Sequence, residues 1–296
     1  MFMQTNLFSV LTRDKLNLGG MLFEPQGKSR TVVLWLGALS FSIMPRASKV
    51  KKLAEEFIKQ GLSLAILEHR GSGVAVRLRK GLKKEQRELG GTAYEKFTDC
   101  IFDIEAGIRF LQGQGYKKII LCGHSTGANK VAYYIQTTGG KGIVGVGLLG
   151  PLSDVPGFKK VLGQKYQSTL NLAKKMVTQK RGDELLPLNL FKGILWSAQR
   201  FLSIATSNSV EDMFPYYQSK CKFTWVKKLN KPTLVLIGEK DQYADLPPAK
   251  ILQIFKNQIP TEFFTGQLIT GANHGFDGKE GELVKVVVKW IKLLKS

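Results

Sequence analysis

Cysteine is scarce in this chain: Cys100, Cys122 and Cys221 are the full set in 296 residues. The number is odd, no CxxC pair occurs, and none of the three stands beside histidines at metal-ligand spacing, which argues against a disulfide framework or a zinc module. A reducing, cytoplasmic location is the default expectation. Long hydrophobic runs are missing too. No apolar segment reaches the roughly 18 residues of a membrane span, and Met1–Val10 lacks the basic-then-apolar pattern of a signal peptide, so neither is expected. Acid is in short supply, with 23 Asp and Glu against 44 Lys and Arg, a formal charge of +21.

Such an excess would suit nucleic acid, an acidic membrane or an anionic substrate. Its distribution points elsewhere. Basic residues occur throughout, with clusters at 77–84, 220–231 and 285–295, and lysine outnumbers arginine 34 to 10. Dedicated phosphate readers favour arginine forks, and scattered lysine is usually a solvated surface. With no nucleic-acid reading motif present, no nucleic-acid partner is expected.

What the chain has is alternation. Residues 7–24 read as two short strands joined at Asp14-Lys15 and closed by Pro25; then come a buried strand (31–37), an amphipathic helix (47–61) and a second strand (62–68). The basic stretch 71–91 shows no clear strand and reads as a long, partly helical surface loop. A helix at 94–113, a strand at 119–122, a helix from 126 and a strand at 142–150 follow. From 151 to 228 helix patterns replace strands. "FKKVLGQKYQSTLNLAKKMV" places Phe158, Val161, Leu162, Tyr166, Leu170 and Ala173 near one face, and Ser209 before Glu211 and Asp212 resembles a helix start. Phe191, Trp196, Phe201, Phe214, Tyr216, Tyr217 and Trp225 would form this segment's own small core, with a minority lining a pocket. The βα rhythm resumes at 232–241, 247–256, 261–269 and 280–295. This pattern predicts an α/β fold, a mostly parallel sheet of about eight strands with helices on both faces. Its core would comprise 1–150 and 229–296, and 151–228 would be an inserted helical cap.

"IILCGHSTGANK" carries the chemistry. Gly123-His124-Ser125-Thr126-Gly127 matches G-x-S-x-G between a strand and a helix, a sharp turn that lifts a serine hydroxyl above the sheet. A plain glycine-flanked turn is the alternative until partners are found. A serine hydroxyl needs a base, and the choice lies among His69, His124 and His274. His124 adjoins the serine, and neighbouring side chains at a corner diverge, so packing or a hydrogen bond beneath the elbow suits it better. His69 ends the strand at 62–68, where it could face the rim or cap the strand. His274 lies between the last strand and the last helix, where the base of a Ser, Asp, His order belongs. Asp241, at the tip of "TLVLIGEKD", is the expected carboxylate; Glu239 and Asp245 are close rivals and Asp154 a further one. Cys122 is expected to pack in the core.

"GHSTG", "GEKDQY", "GANHGF" and the "RGSG" after the strand at 62–68, in the expected order and each at a strand end, resemble the α/β-hydrolase fold superfamily, in its serine esterase and lipase-like part, over essentially the whole chain. "ILCGHSTGANK" and "SAQRFL" resemble a branch related to siderophore-esterase-like, uncharacterised hydrolases. The resemblance implies an oxyanion hole of two backbone N–H groups, one on Thr126 and one in "LGALS", where Leu39 is the expected donor and Ala38 the alternative. That loop departs from the commoner His-Gly pair. The resemblance also implies a carboxylic ester hydrolase with catalytic Ser125, Asp241 and His274, acting on a small-molecule ester or acyl substrate with no metal or organic cofactor. Lactone, thioester and amide hydrolysis use the same machinery, and a non-catalytic ligand receptor of this fold is the rival from another class.

Overall fold

The computed structural model describes residues 3–27, 29–81, 86–191 and 193–294. It begins with the antiparallel pair β1 (Met3–Leu11) and β2 (Asn17–Pro25), paired from Met3 opposite Pro25 to Leu11 opposite Asn17. Then come β3 (Thr31–Leu36), α1 (Ala47–Lys59), β4 (Ser63–Leu67), β5 (Val76–Arg79), β6 (Arg87–Gly90), α2 (Cys100–Gly113), β7 (Lys118–His124), α3 (Thr126–Thr138) and β8 (Gly145–Leu149). Between β8 and the next strand lie α4 (Asp154–Leu162), α5 (Tyr166–Thr178) and α6 (Ala198–Ala205). The chain ends with β9 (Thr233–Gly238), α7 (Pro248–Gln258), β10 (Phe264–Ile269) and α8 (Glu280–Leu293).

Eight strands form one sheet in the order β1-β2-β4-β3-β7-β8-β9-β10. Only β2 runs against its neighbours; from β4 to β10 every pairing is parallel. β4, β8 and β9 are buried along their whole length, as parallel strands covered on both faces must be, and their sequences are accordingly continuous apolar runs. One face packs on α2, α3 and α7 through Ile104, Ile108, Val131, Ile251 and Phe255; the other packs on α1 and α8 through Val50, Phe57, Val287 and Ile291. This is the α/β-hydrolase fold.

Several expectations need correction. The stretch 71–91 is not a strandless loop: β5 and β6 pair as a separate antiparallel hairpin, Val76 opposite Gly90 and Arg79 opposite Arg87, with 82–85 outside the described residues. The helix expected from 94 starts at Cys100, because Glu95 is drawn into a buried ion cluster. No helix begins at Ser209; Glu211 pairs with Arg200, and Ser209 Oγ donates to the Ser203 carbonyl. The apolar face drawn from Phe158 to Ala173 is broken at Gly163 (φ 52°), which leaves Val161 61% exposed. The aromatic residues divide: Phe191, Trp196 and Phe201 pack with α4, α5 and α6, whereas Phe214, Tyr216 and Trp225 join the main core beside α3.

Candidate active site

The corner between β7 and α3 is built by close approach. A Cβ on Gly123 would lie 2.2 Å from the Gly127 carbonyl oxygen, and one on Gly127 would lie 2.5 Å from that of Leu36, so only glycine fits either place. Between them Ser125 adopts φ 56° and ψ −124°, a strained backbone that costs about 1–3 kcal/mol and is held by its surroundings. The Ser125 N–H donates to the Leu149 carbonyl at 2.8 Å, and its carbonyl accepts from Ala128 at 2.8 Å. Thr126 is the first residue of α3, so its N–H is among those a helix leaves without an internal acceptor.

His274 is the fifth residue after β10 and Asp241 the third after β9, which sets both at the same edge of the sheet as Ser125. His274 Nδ1–H donates to Asp241 Oδ2 at 2.8 Å, and the Asp241 side chain is fully buried. The Tyr243 N–H holds the other carboxylate oxygen at 3.0 Å, while the His274 N–H donates to Gln242 at 3.0 Å. With Nδ1 carrying the proton, Nε2 is the basic nitrogen of the neutral ring. Tyr243 packs edge-on against the imidazole, centroids 5.0 Å apart. Gly150, at φ +57°, completes the seat, since a Cβ there would come within 3.2 Å of the ring. Sequence reading passed over Gly150, Gln242 and Tyr243; "GLLG" at the end of β8 was the available signal for the first.

The rival carboxylates lie elsewhere. Glu239 is exposed and accepts from the Gly271 N–H at 2.7 Å, Asp245 is exposed, and Asp154 lines the cavity described below from the first turn of α4. His124 Nε2–H donates to the His274 carbonyl at 2.8 Å, and burial holds its ring neutral, with a pKa of about 3. His69 faces no rim. It is buried between two loops, its Nε2 3.5 Å from the Gly37 carbonyl and its Nδ1 accepting from the Gly71 N–H at 3.1 Å. Burial, with Lys130 nearby, pushes its pKa down to about 3. His69 therefore supports the loop that carries Ala38 and Leu39. The same loop is pinned where the Ser40 N–H donates to Thr92 Oγ1 at 2.7 Å and the Ile43 N–H to Glu68 at 2.7 Å. Burial raises the Cys122 thiol to about 12, which leaves it unreactive in the core.

Ser125, His274, Thr126, Ala38 and Leu39 open into one cavity of about 580 Å³, a volume suited to a small organic ligand. Its remaining wall is mostly apolar, with Asp154, Arg46, Lys49, Asp277 and Glu280 among the exceptions.

A family model described as a protein of unknown function (DUF1749) matches residues 95–294. The chain belongs to that family. No curated protein matches it. Among solved structures it resembles the siderophore hydrolase EstB from Aspergillus fumigatus, with a TM-score of 0.68 and 18% identity over 98% of each chain. It also resembles the ferulic acid complex of Est1E from Butyrivibrio proteoclasticus, with a TM-score of 0.66 and 16% identity over 96% of this chain and 98% of that one. The esterase PF2001 from Pyrococcus furiosus gives 0.60 and 15%, over 99% and 92%. At such identities the likeness establishes the fold, and this member of the DUF1749 family shares it. Among the described residues no helix is long and apolar enough to cross a membrane.

Proposed function

We propose that this protein is a serine hydrolase of carboxylic esters. The observation that carries the reading is the shared cavity: a strained serine at a strand-helix corner opens into the same space as a histidine whose Nδ1 is held by a buried aspartate at 2.8 Å. Ser125 Oγ attacks the ester carbonyl, its proton passes to His274 Nε2, and His274 returns that proton to the departing alcohol. Water then attacks the acyl carbonyl, giving a proton to His274; the bond to Ser125 Oγ breaks, His274 returns the proton to that oxygen, and the carboxylic acid leaves. Asp241 fixes the imidazole tautomer and stabilises the imidazolium. The Thr126 N–H and, from the pinned loop, that of Leu39 hold the oxyanion; Ala38 is the alternative donor. No metal or organic cofactor takes part.

In this reading 151–228 is a cap that bounds the substrate space, inserted into a core formed by 1–150 and 229–296. The names of two structural relatives, a siderophore hydrolase and a ferulic acid complex, support small-molecule esters as the substrate class. The test is release of p-nitrophenolate from p-nitrophenyl acetate and butyrate by the protein and by Ser125→Ala. Turnover by the native chain, lost by at least a thousandfold in the variant, supports the mechanism. No turnover of either ester, together with no labelling by a serine-directed phosphonate, would favour a ligand receptor on the same fold.

A further inference from the structure

Among the described residues the sheet ends in two edges, and they are not alike. β1, at one end, runs nine residues in unbroken register with β2, without a proline, a bulge or a charged side chain, although 23% of the chain is charged. Natural edge strands are blunted by lysine, proline, bulges or short length, and β1 has none of these. β10, at the other end, has six residues, includes Gly266, and exposes only the polar side chains of Thr265 and Gln267. Leu7, at the centre of β1, is 79% exposed, the most exposed large apolar side chain among the described residues. We propose that β1 is the docking edge for a second copy of this chain, the two β1 strands pairing antiparallel about a two-fold axis at Leu7 and joining both sheets into one.

The ladder shows which backbone groups face outward. Beyond Leu11, the Thr12 N–H donates to the Leu16 carbonyl at 2.9 Å; on the far side of β2, the carbonyl of Gly19, which stands opposite Ser9, accepts from the Glu68 N–H at 2.9 Å. Bonded and non-bonded pairs alternate along an antiparallel ladder, so Gln4, Asn6, Phe8 and Val10 bond to β2, and Thr5, Leu7 and Ser9 turn their N–H and C=O groups outward. The Leu11 carbonyl keeps that direction, accepting from Arg109 Nη2 at 3.4 Å. Pairing centred on Leu7 sets Leu7 against its twin, Thr5 against Ser9 and Met3 against Leu11, which uses the whole strand. Side chains alternate as well. Phe8 stacks on Phe110 of α2, centroids 4.4 Å apart, and Val10 is buried, whereas Thr5, Leu7 and Ser9 share the opposite, exposed face. There the two Leu7 side chains would cover each other between small cross-strand neighbours. Charge favours a copy as the occupant: two molecules of +21 repel, and an uncharged edge lets them meet without lysine facing lysine, while it offers no counter-charge to a charged peptide. Such a contact is isologous and closes on itself. The Ser125 cavities then lie at opposite edges of the joined sheet.

Sedimentation velocity at about 50 μM measures the association directly. A dimer is expected, with a dissociation constant that falls at least tenfold between about 0.05 M and about 0.5 M salt as the like charge is screened. Leu7→Lys sets two ammonium groups face to face on the axis and is expected to raise that constant at least tenfold. Ser9→Pro removes one outward N–H and none that bonds to β2, a change an edge strand tolerates, and is expected to do the same. Both side chains are exposed, so the melting temperature in dilute solution should stay level, which separates lost pairing from lost folding. Gln267→Lys, on the β10 edge, is the control and should leave the dimer intact. A monomer at both salt concentrations, a dimer that ignores Leu7→Lys or Ser9→Pro, or one that Gln267→Lys dissociates would overturn the proposal. Ester turnover enters none of these measurements, so the dimer and the hydrolase reading stand or fall separately.

Discussion

Asp154 stands on the cavity wall at the start of α4, and burial, with Glu211 adding its charge, lifts its carboxyl to about 7. An acid whose folded pKa lies above its unfolded value binds its proton more tightly in the folded state. Its folded-state cost therefore begins as pH rises past the ordinary carboxylate range near 4 and is complete above about 7. Asp154→Asn should accordingly raise the melting temperature, and by more at pH 8 than at pH 5; thermal melts at the two pH values check this. An equal gain at both would mean that ionisation of Asp154 carries no cost. The catalytic candidates were more legible in the sequence than this residue was. Ser125, His274 and Asp241 each sit at a strand end next to glycine or a turn, where chain order alone restricts the choice. Asp154 could be read only as a rival acid, because its setting depends on helices whose placement the local pattern does not give.

Between elements, a buried ionic cluster ties α6 to α3 and to the loop before α2. Glu95, in the loop before α2, meets Lys130 of α3 at 3.1 Å and Arg200 of α6 at 3.4 Å, and Arg200 also binds Glu211 at 2.8 Å. All four side chains are about 1% exposed. Burial alone would raise the Glu95 pKa, yet the Lys130 and Arg200 cations bring it down to about 2. A depressed acid stabilises the fold above its unfolded pKa and loses that contribution as pH falls through the folded one, so this cluster weakens between about pH 4.5 and 2. Glu95→Gln leaves two buried cations short of a partner and should cost roughly 3–5 kcal/mol, measured as a fall in the urea midpoint at pH 7. A loss below about 1 kcal/mol would show that Arg200–Glu211 carries the link alone. The sequence pattern gives no sign of this cluster, since Glu95 lies 35 and 105 positions from its partners and Glu211 reads only as part of a helix start. The β5–β6 hairpin escaped notice for a related reason: with arginine at 77, 79 and 87, its alternation is basic where a core strand would show apolar residues.

Across the whole molecule, the order and type of most core elements could be read because buried parallel strands must be apolar runs and their crossover helices must be amphipathic. What could not be read is where charge acts. The net +21 is spread over the surface, whereas the cavity lining mixes signs, Arg46 and Lys49 with Asp154, Asp277 and Glu280, so any pull on an anion comes from the summed charge of the molecule. A field of this kind raises the encounter rate of anions and leaves neutral molecules untouched. Lysine 49 is neutralised locally by Asp277, yet the summed charge of the molecule still acts over a Debye length, which shrinks from about 30 Å at 0.01 M salt to about 3 Å at 1 M. The kcat/KM for an anionic ester, mono(4-nitrophenyl) succinate, should therefore fall about tenfold across that range, while that for neutral p-nitrophenyl butyrate stays level. Parallel salt responses for the two esters would mean that the lysine excess serves the solvated surface and has no part in delivering substrate.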